Sequence, residues 1–130
     1  MSKYGEAAEI AARRLISRQE IDPGCAWTFA VETVFPESAS ARAKSCPRVS
    51  FLSLCEFGAI EHVKPGTYTR SVKNKGYVQR ALEALREEPL LILDERQLWQ
   101  KATGGSGTTD NSQMDVLACL WRAGLVREVF

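Results

Sequence analysis

The sequence predicts one mostly α-helical domain of five to seven helices, covering residues 1–130, with a small β-hairpin near residues 59–72. Two patterns indicate this fold. Apolar residues recur three and four positions apart in segments bounded by capping residues, proline or glycine. One stretch alone shows short alternating runs around a Pro-Gly pair. A chain of 130 residues with 45% hydrophobic content suits a single globular domain, which excludes a disordered or fibrous protein.

The first 36 residues predict two helices. Residues 3–17 carry an apolar stripe at helical spacing, followed by arginines near the C-terminal end, where cations suit the helix dipole. For the second helix, Asp22 is the expected N-cap and Pro23 the first helical residue. Pro36 is expected to end that helix at or just before Phe35.

The middle of the chain predicts a helix followed by a hairpin. Residues 37–45 fit either a short helix capped by Ser38 or a loop, and the next helix begins at residues 45–47. Gly58 suits the left-handed position that ends such a helix. The β-compatible runs 60–63 and 67–70 flank Lys64-Pro65-Gly66, which is typical of a type II turn. A helix, a glycine and a hairpin in this order favour a winged-helix-like centre as one interpretation.

The last third of the chain returns to helical spacing. One helix is expected after Asn74, ending before Pro89, and another from an Asp94 cap. The glycine-rich stretch 103–109 has no apolar side chain to bury and predicts a mobile loop. A capping box formed by Ser112 and Asp115 is expected to start the final helix, which breaks at Gly124.

The charge distribution points to a polyanion. Seventeen Lys and Arg against sixteen Asp and Glu give a net charge of +1, but residues 38–82 hold eight basic and two acidic residues. This central segment therefore carries a local +6, which favours a non-enzymatic module that binds nucleic acid or another polyanion. The phosphate-binding candidates are Arg70, Lys73 and Lys75, with Arg48 and Arg80 adding charge. Tyr68 and Tyr77 are the candidates for stacking on bases.

The sequence offers little support for an enzyme, a metal or a cofactor. The four cysteines form no Cys-x-x-Cys pair and His62 is the single histidine, so we expect no metal site and no cofactor. Cys46 at a helix start is a weak candidate for a reactive thiol, and no catalytic residue is assigned. No apolar run is long enough to span a bilayer and no secretory leader is visible, which predicts a cytoplasmic protein without membrane contact.

A protein-interaction or regulatory subunit without nucleic-acid contact remains the alternative. It would use an apolar or acidic face, such as the one carrying Glu83, Glu87 and Glu88. The sequence does not identify the partner or the oligomeric state.

Four short motifs together support a family resemblance. They are Tyr4-Gly5-Glu6-Ala7-Ala8, Cys46-Pro47-Arg48, the run from Tyr68 to Tyr77 with its Lys73-Asn74-Lys75, and Gln113-Met114-Asp115-Val116. With this set, the chain resembles a family of short bacterial proteins of unassigned function over nearly its whole length. The resemblance implies a small single-domain protein and brings no catalytic residue.

Overall fold

The computed structural model describes residues 2–127. Within that part the chain forms six helices of nine or more residues, one of four residues and one 3-10 helix, and no strand. The mostly helical prediction is therefore confirmed. The helices are α1 (Lys3–Ile16), α2 (Pro23–Val34), α3 (Ala39–Arg42), α4 (Ser45–Glu56), α5 (Val72–Glu87), the 3-10 helix (Pro89–Leu93), α6 (Glu95–Thr103) and α7 (Gln113–Arg122).

Local capping sets most of the helix ends. The Asp22 carboxylate accepts a hydrogen bond from the Cys25 amide at 2.8 Å, and α2 stops at Val34, as predicted. Ser38 caps α3, so the short helix, rather than the loop, occupies this stretch. The Ser71 hydroxyl caps α5, which therefore begins at Val72, slightly earlier than the apolar spacing indicated.

The core is built around α4. This helix packs against α2, α5 and α7, while α1 packs on α2 and α7, and α5 packs on α6. Phe51 and Leu54 on α4 are fully buried. At the contact of α1 with α7, a Cβ added at Gly5 would lie 2.8 Å from the Cys119 Cβ, so glycine permits this close approach. No helix within residues 2–127 combines the length and the apolar character needed to cross a membrane.

The predicted hairpin near residues 59–72 is wrong. This stretch is an irregular loop whose amides bond to α4 instead of to a partner strand. The Gly66 amide donates to the Glu56 carbonyl at 3.2 Å, and the amides of Tyr68 and Thr69 donate to the Glu56 carboxylate. Gly66 also lacks the positive φ that a type II turn requires after Pro65. Without strands there is no wing, and the winged-helix interpretation is not supported.

The glycine stops of α4 and α7 are alike. Gly58 and Gly124 have φ values of 76° and 73°. Just beyond each glycine, an amide donates to a carbonyl five residues back, from Ala59 to Leu54 at 2.9 Å and from Leu125 to Leu120 at 3.0 Å. This pattern is that of the Schellman motif, which satisfies the last carbonyls of a helix.

The predicted capping box at Ser112 is also wrong. Ser112 itself has φ 74° and makes no side-chain cap bond. The Asp110 carboxylate takes this place and accepts a hydrogen bond from the Met114 amide at 3.3 Å. Because Ser112 adopts the left-handed conformation, the side chain that caps α7 comes from Asp110, two positions earlier than predicted.

Candidate anion-binding site

Lys75 forms an ion pair inside the fold. Its Nζ lies 2.7 Å from Oε2 of Glu56, and the two side chains are only 22% and 12% exposed. Burial alone would raise the pKa of Glu56, but the hydrogen bonds from Lys75 and from the amides of Tyr68 and Thr69 outweigh it, and the pKa is lowered. The charge of Lys75 is therefore neutralised within the protein.

Tyr68 and Tyr77 both have internal contacts. The Tyr68 hydroxyl donates to the Lys64 carbonyl at 2.6 Å, and its half-buried ring packs against the core. Tyr77 is 7% exposed and meets the ring of Trp99 edge-on, with centroids 5.0 Å apart. Neither ring stands free on the surface as a stacking platform would.

Arg80 is exposed, but its guanidinium contacts a neighbouring helix. Its Nε donates to the Ala102 carbonyl at 2.6 Å, near the C-terminal end of α6, and its guanidinium lies 5.6 Å from the centre of the Tyr77 ring. A cation at this position satisfies a late carbonyl of α6. The side chain therefore helps to hold α5 against α6.

Arg70 and Lys73 are exposed at the start of α5, and their side chains make no hydrogen bond or ion pair within residues 2–127. Within residues 2–127, Lys75 is the one cation of the central segment that pairs with a carboxylate. Arg70 and Lys73 thus keep their full charge toward solvent. The positive end of the α5 dipole adds to that charge.

Arg48 lies in a different place from Arg70 and Lys73. It is exposed in the first turns of α4 and shares a groove of about 470 Å³ with Arg42 and with Trp27 of α2. Eight residues separate Arg48 from Glu56, which corresponds to about 12 Å along the helix axis. The predicted site is therefore divided into one group at the start of α4 and a second group near its end.

Sequence reasoning missed the contribution of Arg42 and Trp27. Arg42 lies on the four-residue α3, and its Nη1 donates to the carbonyls of Phe35 and Pro36 at 2.7 and 3.0 Å. Trp27 belongs to the apolar stripe of α2, and its ring stacks on Phe51 with centroids 5.5 Å apart. Its apolar spacing is that of any core residue, so no sequence signal distinguishes it.

A larger groove of about 610 Å³ lies between α1, α7 and the start of α6. Its guanidiniums are already paired, Arg13 with Glu9 at 2.9 Å and Arg122 with Glu95 at 3.4 Å. Burial and a hydrogen bond shared with Asp115 raise the pKa of Glu95. This groove therefore offers no unpaired positive charge to an anion.

The structure does not place the imidazole of His62 beside the Cys46 thiol as a general base. Cys46 lies in the first turn of α4, whereas His62 follows the end of that helix and contacts Arg18 at 3.2 Å. The ten residues from Cys46 to Glu56 alone span about 15 Å. Among residues 2–127, no three His, Cys, Asp or Glu side chains are grouped closely enough to hold a metal ion.

A family profile described as a family of unknown function, DUF6979, matches residues 1–127 of the 130. The chain belongs to DUF6979. Its membership agrees with the predicted resemblance to a family without an assigned function, and DUF6979 contributes no activity to this chain. No curated protein and no solved structure matches it.

Proposed function

We propose that this DUF6979 protein is a non-enzymatic binding module for nucleic acid or another polyanion. The free cations of its central segment contact the polyanion. The observation that carries the proposal is the shortage of carboxylate partners there. Seven of the eight cations in residues 38–82 have none within the described part of the chain. Unpaired cations can exchange condensed counterions for phosphates, which is the main source of affinity for a polyanion.

Three of the sequence candidates remain suited to this role. Arg48, Arg70 and Lys73 are exposed and have no carboxylate partner in residues 2–127. Lys75 and Arg80 are assigned to internal contacts instead. The stretch of α4 from Arg48 to Glu56, whose carboxylate accepts from the Thr69 amide next to Arg70, is about 12 Å long and corresponds to three or four phosphates of a strand that advances 3.4 Å per nucleotide.

The experiment is fluorescence anisotropy with labelled duplex and single-stranded oligonucleotides of about 20 nucleotides at low and high salt. Three phosphate contacts predict an affinity loss of about 40-fold for the duplex and about 20-fold for the single strand between 50 and 200 mM salt. The double variant Arg70→Glu with Lys73→Glu should bind at least tenfold more weakly than the unchanged protein at low salt.

The matched control is Arg96→Glu with Lys101→Glu on α6, which also reverses one arginine and one lysine. Both residues are exposed and lie outside the central segment. This control should stay within about threefold of the unchanged protein, since distant exposed charges are largely screened. Absence of binding at low salt, or equal losses in the two double variants, would refute the proposal.

A protein-interaction role is the second candidate, favoured by the 3-10 helix. Leu90 and Leu93 are 78% and 77% exposed there, and side chains three residues apart eclipse one another in a 3-10 helix. Glu87 and Glu88 precede this apolar pair. An apolar spot with an acidic border fits a partner that presents apolar and basic side chains.

Crosslinking in cells followed by mass spectrometry separates the two roles. The interaction role predicts a specific partner that Leu90→Ser with Leu93→Ser loses and Arg70→Glu with Lys73→Glu keeps. Recovery of the same partner from both double variants would count against it.

A further inference from the structure

Two guanidiniums line the groove between α2 and α4, one held by backbone carbonyls and one without a hydrogen-bond partner in residues 2–127, and the indole of Trp27 lies beside them. We propose that this groove binds the phosphoryl group of a small phosphate monoester. This inference rests on the proposed function only in so far as Arg48 serves both. The groove has a volume of about 470 Å³, which lies within the range of small-molecule sites. The ligand therefore carries more than the phosphoryl group.

Arg42 supplies a guanidinium that is already held in place. Its Nη1 donates to the carbonyls of Phe35 and Pro36, just beyond α2, and the side chain is half-buried. Nε and Nη2 make no hydrogen bond within residues 2–127 and remain available as donors. A donor fixed before binding loses little conformational freedom when the ligand arrives.

Arg48 supplies the second guanidinium, across the groove on α4. Its Nη2 lies 3.6 Å from the Cβ position of Gly24, so the side chain extends toward the start of α2. It has no partner among the described residues, which leaves all five N–H groups free. Paired N–H donors of arginine match the geometry of phosphate oxygens.

Trp27 is the aromatic residue of the groove lining. Its side chain is 1% exposed and lines the groove, and its buried Nε1 has no hydrogen-bond partner within residues 2–127. By contrast, Trp99 Nε1 donates to the Thr108 carbonyl at 2.6 Å. Because Nε1 itself lies beneath the surface, the two arginines are the donors that a ligand in the groove reaches, and the indole reports on binding from beside them.

The number of donors favours phosphoryl over carboxylate. Arg42 and Arg48 together offer more free N–H groups than the two oxygens of a carboxylate accept, whereas a phosphoryl group presents three oxygens. Glu32 is the acid among the groove residues, so the lining has a net charge of +1. Its carboxylate suits a hydroxyl on the organic part of the ligand, away from the phosphoryl group.

The test is two-dimensional proton–nitrogen NMR of the tryptophan indole groups, with the Trp27 signal assigned from the Trp27→Phe variant. Inorganic phosphate and glycerol phosphate are titrated separately into the full chain. Both should shift the Trp27 signal in a saturable way, and tighter binding of glycerol phosphate would show that the organic part contributes. Arg48→Gln should weaken both by about tenfold, the value of one charged hydrogen bond.

Arg96→Gln is the matched control, because it removes the same group from an exposed position on α6, outside both the groove and the central segment. It should leave phosphate binding within about twofold. An unmoved Trp27 signal up to about 20 mM phosphate, or an equal loss in Arg48→Gln and Arg96→Gln, would overturn the inference. If oligonucleotide binding through Arg70 and Lys73 persists in that case, the inference fails and the proposed function stands.

Discussion

Replacing Lys75 by glutamine tests the distinction between the internal and the free cations of the central segment. The substitution removes the 2.7 Å contact to Glu56 and leaves a carboxylate that is only 12% exposed without its cation. The amides of Tyr68 and Thr69 still donate to that carboxylate, so one charged hydrogen bond is lost. Such a bond is worth about 2 kcal/mol.

This loss should be visible in thermal unfolding followed by circular dichroism. For a chain of 130 residues, about 2 kcal/mol corresponds to a Tm lower by about 7 °C. Lys73→Gln is the matched control, because Lys73 lies two residues earlier on the same helix and is exposed. Its Tm should change by no more than about 2 °C.

The effect also has a defined pH dependence. Because the pKa of Glu56 is lowered in the folded protein from its ordinary value of 4.5, the stability that its ionised form adds is complete above that pH. It is lost as the pH falls through the lower folded pKa. The Tm difference between the unchanged protein and Lys75→Gln should therefore shrink below pH 4.5. Equal melting temperatures for Lys75→Gln and Lys73→Gln at neutral pH would refute the reasoning.

Two further predictions concern stability and are measured by urea unfolding. Gly58→Ala should cost about 2 kcal/mol, because φ is +76° and the new Cβ would lie 2.8 Å from a proline ring. Gly124→Ala, with φ +73° and open space around it, should cost only about 1 kcal/mol, and the reverse order would contradict this account. Tyr77→Ala should cost about 3 kcal/mol and Tyr77→Phe under about 1 kcal/mol, since the ring is buried and its hydroxyl has no partner in residues 2–127. A small effect of Tyr77→Ala would instead fit an exposed stacking residue.

The sequence predicted those parts of the fold that depend on neighbours along the chain. The cap at Asp22, the stop at Gly58 and the cap at Asp94 each involve partners within five residues. The false hairpin had a non-local cause. Glu56 accepts hydrogen bonds from amides 12 and 13 residues later, and nothing in an alternating run of side chains indicates that.

The candidate site shows the same limit. Lys73 and Lys75 are equivalent in the sequence, but two positions on a helix turn a side chain by about 200°, so that one faces solvent and the other Glu56. Arg42 and Trp27 lie 15 positions apart, and only the packing of α2, α3 and α4 brings them to one groove. Charge counting located the basic segment, and the fold decides which of its cations are free.

The salt dependence of oligonucleotide binding tests the central claim most directly. Each phosphate contact contributes about 0.9 to the slope of log affinity against log salt. Arg70→Gln with Lys73→Gln should therefore lower the magnitude of that slope by about 2, while Lys75→Gln should leave it unchanged. A slope whose magnitude falls by about 1 in Lys75→Gln, as expected for the loss of one phosphate contact, would contradict the account. Binding without salt dependence would also contradict it.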